Sequence, residues 1–189
     1  MRIIGGQLKG KKILEPKDKN TRPLKDMVRE SIFNILIHSN KFSINLKKSK
    51  ILDLFCGVGS FGLEAISRGA NFVVYVENYL SVIEILKKNI NDLGLKQKCE
   101  IINQDILNKI DFNNIDKNFD LVFLDPPFKE KKINSLLDKI NQSNILKINS
   151  MVILHRHTKE KDIFPNFIKI LEEKSYGNSK IFFMNFLKK

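Results

Sequence analysis

From residue 50 onward, short and almost wholly apolar runs alternate with segments whose apolar positions recur every three or four residues. The first kind predicts strands at 51–55, 72–77, 100–103, 119–124 and 151–155. The second predicts helices at about 60–68, 80–93 and 130–140, with less pronounced periodicity at 106–111 and 159–163. Strands apolar on both sides belong to a parallel sheet covered on both faces, and helices between them imply right-handed βαβ units. The tail reads differently. Runs at 167–176 and 180–186 flank Gly177-Asn178-Ser179, a turn sequence, so the chain closes on an antiparallel hairpin. The expected fold is α/β: a mostly parallel seven-stranded sheet with that hairpin at its end.

The first 45 residues follow another pattern. Residues 1–20 interleave Ile3, Ile4, Leu8, Ile13 and Leu14 with Lys9, Lys11, Lys12 and glycines, which predicts a small hairpin. Residues 21–38 predict a helix capped by Thr21, with Pro23 in its first turn and Val28, Ile32, Phe33, Ile35 and Leu36 on one face. Arg22, Lys25 and Arg29 are assigned to the other face. A polar connection at 39–49 leads into the alternating region. The chain is thus read as a basic N-terminal arm and helix, 1–45, packed on a core of 46–189.

Composition adds bounds. At 189 residues and 42% apolar content the chain makes one soluble domain with a sizeable core. No apolar run approaches the roughly 18–20 residues of a membrane span, and the start lacks a secretory signal pattern. Cys56 and Cys99 form neither a disulfide framework nor a metal motif. A cytoplasmic, reduced protein without membrane or metal is expected. Lys and Arg number 33 against 21 acidic residues, a net charge of +12, which favours polyanions: nucleic acid first, an anionic membrane surface second. The lysines are scattered through a sequence rich in Asn and Ile, so charge alone does not decide.

Two segments carry chemistry. Asp53-Leu-Phe-Cys-Gly57-Val-Gly59-Ser-Phe-Gly62 follows an apolar strand and opens a helix, where glycines let the backbone approach a ligand. Glu77 ends the next strand 20 residues past Gly57, the spacing of a carboxylate that accepts from ribose hydroxyls. The glycines alone do not separate NAD from S-adenosylmethionine. An acidic Asp53 suits an ammonium better than a pyrophosphate, which favours S-adenosylmethionine. Asp105 can accept from an adenine amino group or simply cap the segment after it. Asp53, Phe55, Gly57, Gly59, Gly62, Glu77 and Asp105 are the candidate cofactor residues.

The second segment, Asp125-Pro126-Pro127-Phe128, follows the fourth predicted strand, at the carboxyl edge where such sheets bind ligands. The prolines remove two N–H donors, so the local main chain offers acceptors only. The Asp125 carboxylate and a neighbouring carbonyl can accept both protons of an amino group, and Phe128 offers a face for a base. That set recognises an exocyclic amine and aims its lone pair at a methyl donor.

Asp125-Pro-Pro-Phe128 resembles the motif of methyltransferases acting on amino groups of adenine, guanine, cytosine or glutamine. The chain as a whole resembles the bacterial small-subunit ribosomal RNA guanine-N2 methyltransferase family (RsmD), a Rossmann-like class I methyltransferase family. The resemblance runs through Arg2-Ile-Ile-Gly-Gly-Gln-Leu-Lys-Gly10, Thr21-Arg-Pro, Val28-Arg-Glu-Ser-Ile-Phe-Asn34, Leu52–Ala65, Ser67-Arg-Gly69, Asp125–Phe128 and Tyr176-Gly-Asn. It implies methyl transfer from S-adenosylmethionine to N2 of one guanine in 16S ribosomal RNA. The expected partner is that RNA within the assembling or assembled small subunit, and the protein is expected to act as a monomer. Catalysis is then assigned to Asp125, Pro126, Pro127 and Phe128, and RNA contact to Arg2, Lys9, Lys11, Arg22 and Arg29. One departure is visible: Leu154-His155-Arg156-His157 stands where acidic residues are expected in that family. Alternatives sharing the motif are a DNA or RNA adenine-N6 methyltransferase and a protein glutamine methyltransferase. A separate DNA-recognition domain is not expected, since these 189 residues leave no room for one, and a peptide groove would not need a basic arm. A non-catalytic RNA-binding module is disfavoured by the intact Glu77 and Asp125-Pro-Pro-Phe128.

Overall fold

The computed structural model describes residues 1–16, 24–42 and 44–187. Its centre is β1 (Lys50–Leu54), flanked by β2 (Phe72–Glu77) and β4 (Phe119–Leu124), with β3 (Cys99–Asn103) beyond β2. On the other side β4 pairs in parallel with β5 (Leu146–His157). The antiparallel β7 (Ser179–Phe186) and β6 (Ile168–Tyr176) complete a seven-stranded sheet in the order β3-β2-β1-β4-β5-β7-β6. The helices are α1 (Asp26–His38), α2 (Ser60–Ser67), α3 (Leu80–Asp92) and α4 (Ile133–Gln142).

Alternate strand residues serve opposite faces, as the pleat requires. Ile51, Val73, Tyr75, Leu121, Phe123 and Ile153 join a core with α1, α2 and α3. Leu52, Leu54, Val74, Val76, Val122, Leu124 and Leu154 join a second core with α4. Both parities are apolar because both faces are covered. The chain runs outward from β1 to β3 and then returns to β4 beside β1, so the strand order reverses there. A crevice at that reversal, outside the strands' carboxyl ends, is where such sheets bind ligands.

The N-terminal hairpin forms around an antiparallel bridge between Arg2 and Lys12, with Ile3 N–H donating to Lys11 O at 2.9 Å. Ile3 and Ile13 are wholly buried in the first core. Gly6 has φ +77°, and a Cβ there would collide with the Ser67 carbonyl. That closeness lets Gln7 N–H reach Ser67 O at 2.7 Å. Glu64 of α2 fixes the arm: its carboxylate accepts from Ile4 N–H at 2.7 Å, Gly5 N–H at 2.8 Å and Arg68 Nε at 2.7 Å.

Arg29 corrects the sequence reading. It does not face outward with the arm's lysines but is 0% exposed, inside the junction between arm, α1 and α2. Its guanidinium donates to Arg2 O at 2.6 Å and Asp26 Oδ1 at 2.9 Å, and lies 3.7 Å from the buried Glu64 Oε2. Burial pulls this guanidinium below its usual range, and Asp26 and Glu64 offset that. Arg22, Thr21 and Pro23 lie outside the described residues.

Other boundaries also differ. The segment expected as a helix at 106–111 is a turn in which Asp105 Oδ1 accepts from Leu107 and Asn108 N–H. So few residues do not repay helix nucleation, and a short acidic side chain satisfies the backbone locally instead. Residues 159–163 are likewise irregular, tied by Arg156 Nε to both oxygens of Asp162 at 3.1 Å. β5 starts earlier than apolarity suggests, because Leu146 pairs with Phe119 before a register shift. Among the described residues no helix is long and apolar enough to cross a membrane.

Candidate active site

The loop leaving β1 turns sharply. Phe55 has φ +58° and Gly57 φ +55°, and Cys56 N–H reaches across to Val76 O at 3.3 Å. This loop, the end of β2, the turn at Asp105 and the end of β4 enclose a cavity of about 540 Å³. Asp53, Phe55, Gly57, Glu77, Asp105 and Asp125 through Phe128 all line it. The sequence-predicted residues of the two segments thus meet in one place.

Of the candidate cofactor residues, Gly59 and Gly62 are not in the cavity lining; they stand behind its wall. Gly59, at φ +80°, precedes α2, where a Cβ would meet Leu86, and one at Gly62 would collide with the Tyr75 ring. Gly62 instead donates its N–H to Asp53 Oδ2 at 3.0 Å. Asp53 is 1% exposed, and its other oxygen, Oδ1, is buried without a partner. Burial pushes the Asp53 carboxyl well above its usual range, and the negative charges of Asp125 and Glu77 add to this. An unpaired buried carboxylate oxygen fits a cation brought in by a ligand.

Glu77 is held by three backbone donors: Gly57 N–H to Oε2 at 3.0 Å, and Asn78 and Tyr79 N–H to Oε1 at 2.9 and 3.1 Å. A carboxylate has about four acceptor positions, so one remains. Asp105 is held below the usual carboxylate range, chiefly by the Asn108 side chain and then by the Asn108 and Leu107 N–H groups. It caps its turn, as foreseen, and also lines the cavity.

Asp125 continues β4, its N–H on Leu54 O at 3.3 Å. Its Oδ1 lies 2.7 Å from Nδ1 of His155, a residue 2% exposed on β5. Pro126 is buried, Pro127 exposed and Phe128 half-buried. The Phe128 ring meets the His155 and His157 rings edge-on, at centroid distances of 5.4 and 4.9 Å. Sequence reasoning did not join His155 to Asp125. Nor did it include Asn78, Tyr79 and Leu107, or Pro16 and Leu24 of the arm, all of which line the cavity. Position just after Glu77 and Asp105 was the available signal for Asn78, Tyr79 and Leu107.

Known proteins are similar to this chain in sequence and fold. A family model described as "Conserved hypothetical protein 95" matches residues 1–185. The chain is similar to the ribosomal RNA small subunit methyltransferase D of Haemophilus influenzae, at 33% identity over 178 residues, 94% of this chain and 89% of that protein. It is also similar to the protein of that name from Buchnera aphidicola subsp. Acyrthosiphon pisum, at 33% identity over 163 residues, 86% of this chain and 81% of the relative. The solved structure of yhhF from Escherichia coli superposes with a TM-score of 0.82 at 26% identity, covering 97% of this chain and 96% of that one. The chain therefore belongs to the Conserved hypothetical protein 95 family, the family of small-subunit ribosomal RNA methyltransferases that its arm and its Asp125-Pro-Pro-Phe128 segment resemble.

Proposed function

We propose that the protein methylates the N2 amino group of a guanine in small-subunit (16S) ribosomal RNA, using S-adenosylmethionine. The observation that carries this reading is one cavity lined both by Asp53, Glu77 and Asp105 and by Asp125-Pro-Pro-Phe128. When bound, S-adenosylmethionine supplies an electrophilic methyl group on a sulfonium. Asp53 Oδ1 takes its ammonium, the remaining acceptor position of Glu77 its ribose hydroxyls, and Asp105 its adenine amino group. Gly57, open toward the cavity, keeps that approach clear. Asp125 accepts one hydrogen of the substrate amine. The Pro127 carbonyl is already engaged by Glu130 N–H at 2.9 Å, so the second acceptor is assigned to the Pro126 carbonyl. Phe128 stacks the base. Guanine N2 is unprotonated at neutral pH, so orientation carries the rate and no strong base is required.

The exposed Arg2, Lys9 and Lys11 are assigned to RNA phosphates. On this reading the partner is the small subunit or its RNA, and the site of action the cytoplasm. The test is incubation with labelled S-adenosylmethionine and small-subunit particles or RNA, then digestion and nucleoside mass spectrometry. N2-methylguanine is expected; label on adenine N6 would redirect the substrate.

Cofactor binding gives a separate prediction. By calorimetry, Glu77→Ala should weaken S-adenosylmethionine binding by about 1.5–3 kcal/mol, the worth of a hydrogen bond to a charged acceptor. Affinity for the intact protein should also fall as pH drops through the raised Asp53 value. The carboxyl must be ionised to hold an ammonium, so the protonated form prevailing below that value binds less. Equal affinity in Glu77→Ala would remove Glu77 from the site.

A further inference from the structure

We propose that His155 is a positioning residue whose Nδ1–H fixes the Asp125 carboxylate, so that Oδ2 is the oxygen presented to the substrate amino group. The proposal rests on the reading of Asp125 as amine acceptor. It begins from register. Leu124 of β4 is the parallel partner of Leu154 of β5, so the next residues, Asp125 and His155, emerge side by side at the sheet's carboxyl edge. Their side chains meet at 2.7 Å between Nδ1 and Oδ1.

The ring's own environment selects the hydrogen's position. Nε2 is buried and has no partner. A hydrogen there would leave a buried N–H with no acceptor and would turn the Nδ1 lone pair against a carboxylate lone pair. With the hydrogen on Nδ1, the short contact is a donor meeting an acceptor, and only a ring nitrogen lone pair goes unpaired, the cheaper omission. The ring is held in place. His155 lies opposite Ile181 in the antiparallel pairing with β7, its side chain is 3% exposed, and the edge of the Phe128 contact closes one side.

The carboxylate gains what it lacks by itself. Rotation about the Cβ–Cγ bond of an aspartate is soft and roughly two-fold, so a free carboxylate would exchange its oxygens and tilt away from the amine. Tying Oδ1 to a buried ring removes that freedom. Phe128 touches the same ring, so the acceptor and the stacking surface share one support.

The test compares His155→Leu, His155→Asn, His155→Gln and Asp125→Ala in steady-state methylation of small-subunit particles. An asparagine amide sits near Nδ1 of the histidine it replaces, whereas a glutamine amide reaches the place of Nε2. His155→Leu and His155→Gln should lower kcat by roughly tenfold to a hundredfold, the scale of a misaligned reacting group, with KM for RNA and cofactor little changed. His155→Asn should keep most of kcat, a distinction that mere filling of space would not produce. Nitrogen NMR of the intact protein's histidine rings should find the His155 hydrogen on Nδ1, whether or not the leucine variant folds. Full kcat in His155→Gln beside an inactive Asp125→Ala would overturn the proposal and leave the Asp125 reading standing, as would a hydrogen found on Nε2. An active Asp125→Ala would overturn the acceptor reading itself.

Discussion

Replacing Asp125 with alanine should lower methyl transfer by a factor of about 100 or more, the usual loss when a preorganised polar group at the reacting centre is removed. The protein should still fold and still bind S-adenosylmethionine. Both expectations follow from where the side chain sits. Its side chain is 20% exposed at the cavity wall and makes a short contact with His155, so truncation empties no core position. The unpaired His155 Nδ1–H costs about 1–3 kcal/mol, a modest fall in melting temperature. Asp53, Glu77 and Asp105 stand on other elements and keep their backbone donors. On the proposed mechanism, what disappears is the acceptor that orients the amine, and with it the alignment of the nitrogen lone pair on the methyl group. Phe128→Ala should lose activity less completely, because a stacked base is worth roughly 1–3 kcal/mol, and Phe128→Tyr should largely keep it. Labelled methyl incorporated into small-subunit RNA, followed by recovery of N2-methylguanine, measures all three. Near-normal transfer by Asp125→Ala would sink this mechanism.

The parts of this picture visible in the sequence are those that depend on local repetition. β2 and β4 match their expected bounds because both faces are apolar and both are covered, which leaves no other reading for such short runs. The loop after β1 and Glu77 were legible because strand, glycines and carboxylate follow at a fixed spacing, and parallel pairing of β1 with β2 brings their ends together. Arg29 was misread although its spacing held the information. It is four residues before Phe33 and three before Ile32, on the buried stripe, but a cation is expected outside unless a buried carboxylate waits for it. Glu64 is that carboxylate, on a different helix, and no local pattern links the two. His155 was out of reach for the same reason. Its partner, Asp125, lies across a strand pair, and only the β4–β5 register sets them side by side. The turn at Asp105 failed as a helix because side-chain hydrogen bonds to the next N–H groups compete with helical ones, a choice that apolar spacing does not display.

Glu64→Ala should cost about 3–5 kcal/mol of stability, the loss typical of breaking a buried ion pair from one side. For a chain of this size that lowers the melting temperature by roughly 10 °C. Glu64 is 0% exposed and serves two backbone N–H groups of the arm and the Arg68 side chain, with Arg29 close by. Alanine would leave Ile4 and Gly5 N–H without acceptors and the wholly buried Arg29 with Asp26 as its remaining ion-pair partner. The hairpin's hold on α2 would then rest on Ile3, Ile13 and the Ser67 contacts. Since Arg2, Lys9 and Lys11 ride on that hairpin, RNA binding should weaken with it. Removing Arg29 as well should cost less than the two single changes added together, because no uncompensated charge is then left inside. A surface control separates anchoring from contact. Lys9→Glu with Lys11→Glu alters exposed positions only, so the melting temperature should hold. RNA affinity should fall and its salt dependence flatten as phosphate contacts are lost. Thermal unfolding and RNA binding across a salt series distinguish the two variants. A Glu64→Ala protein that melts at the original temperature would show that the apolar contacts and the Ser67 hydrogen bonds hold the arm without it.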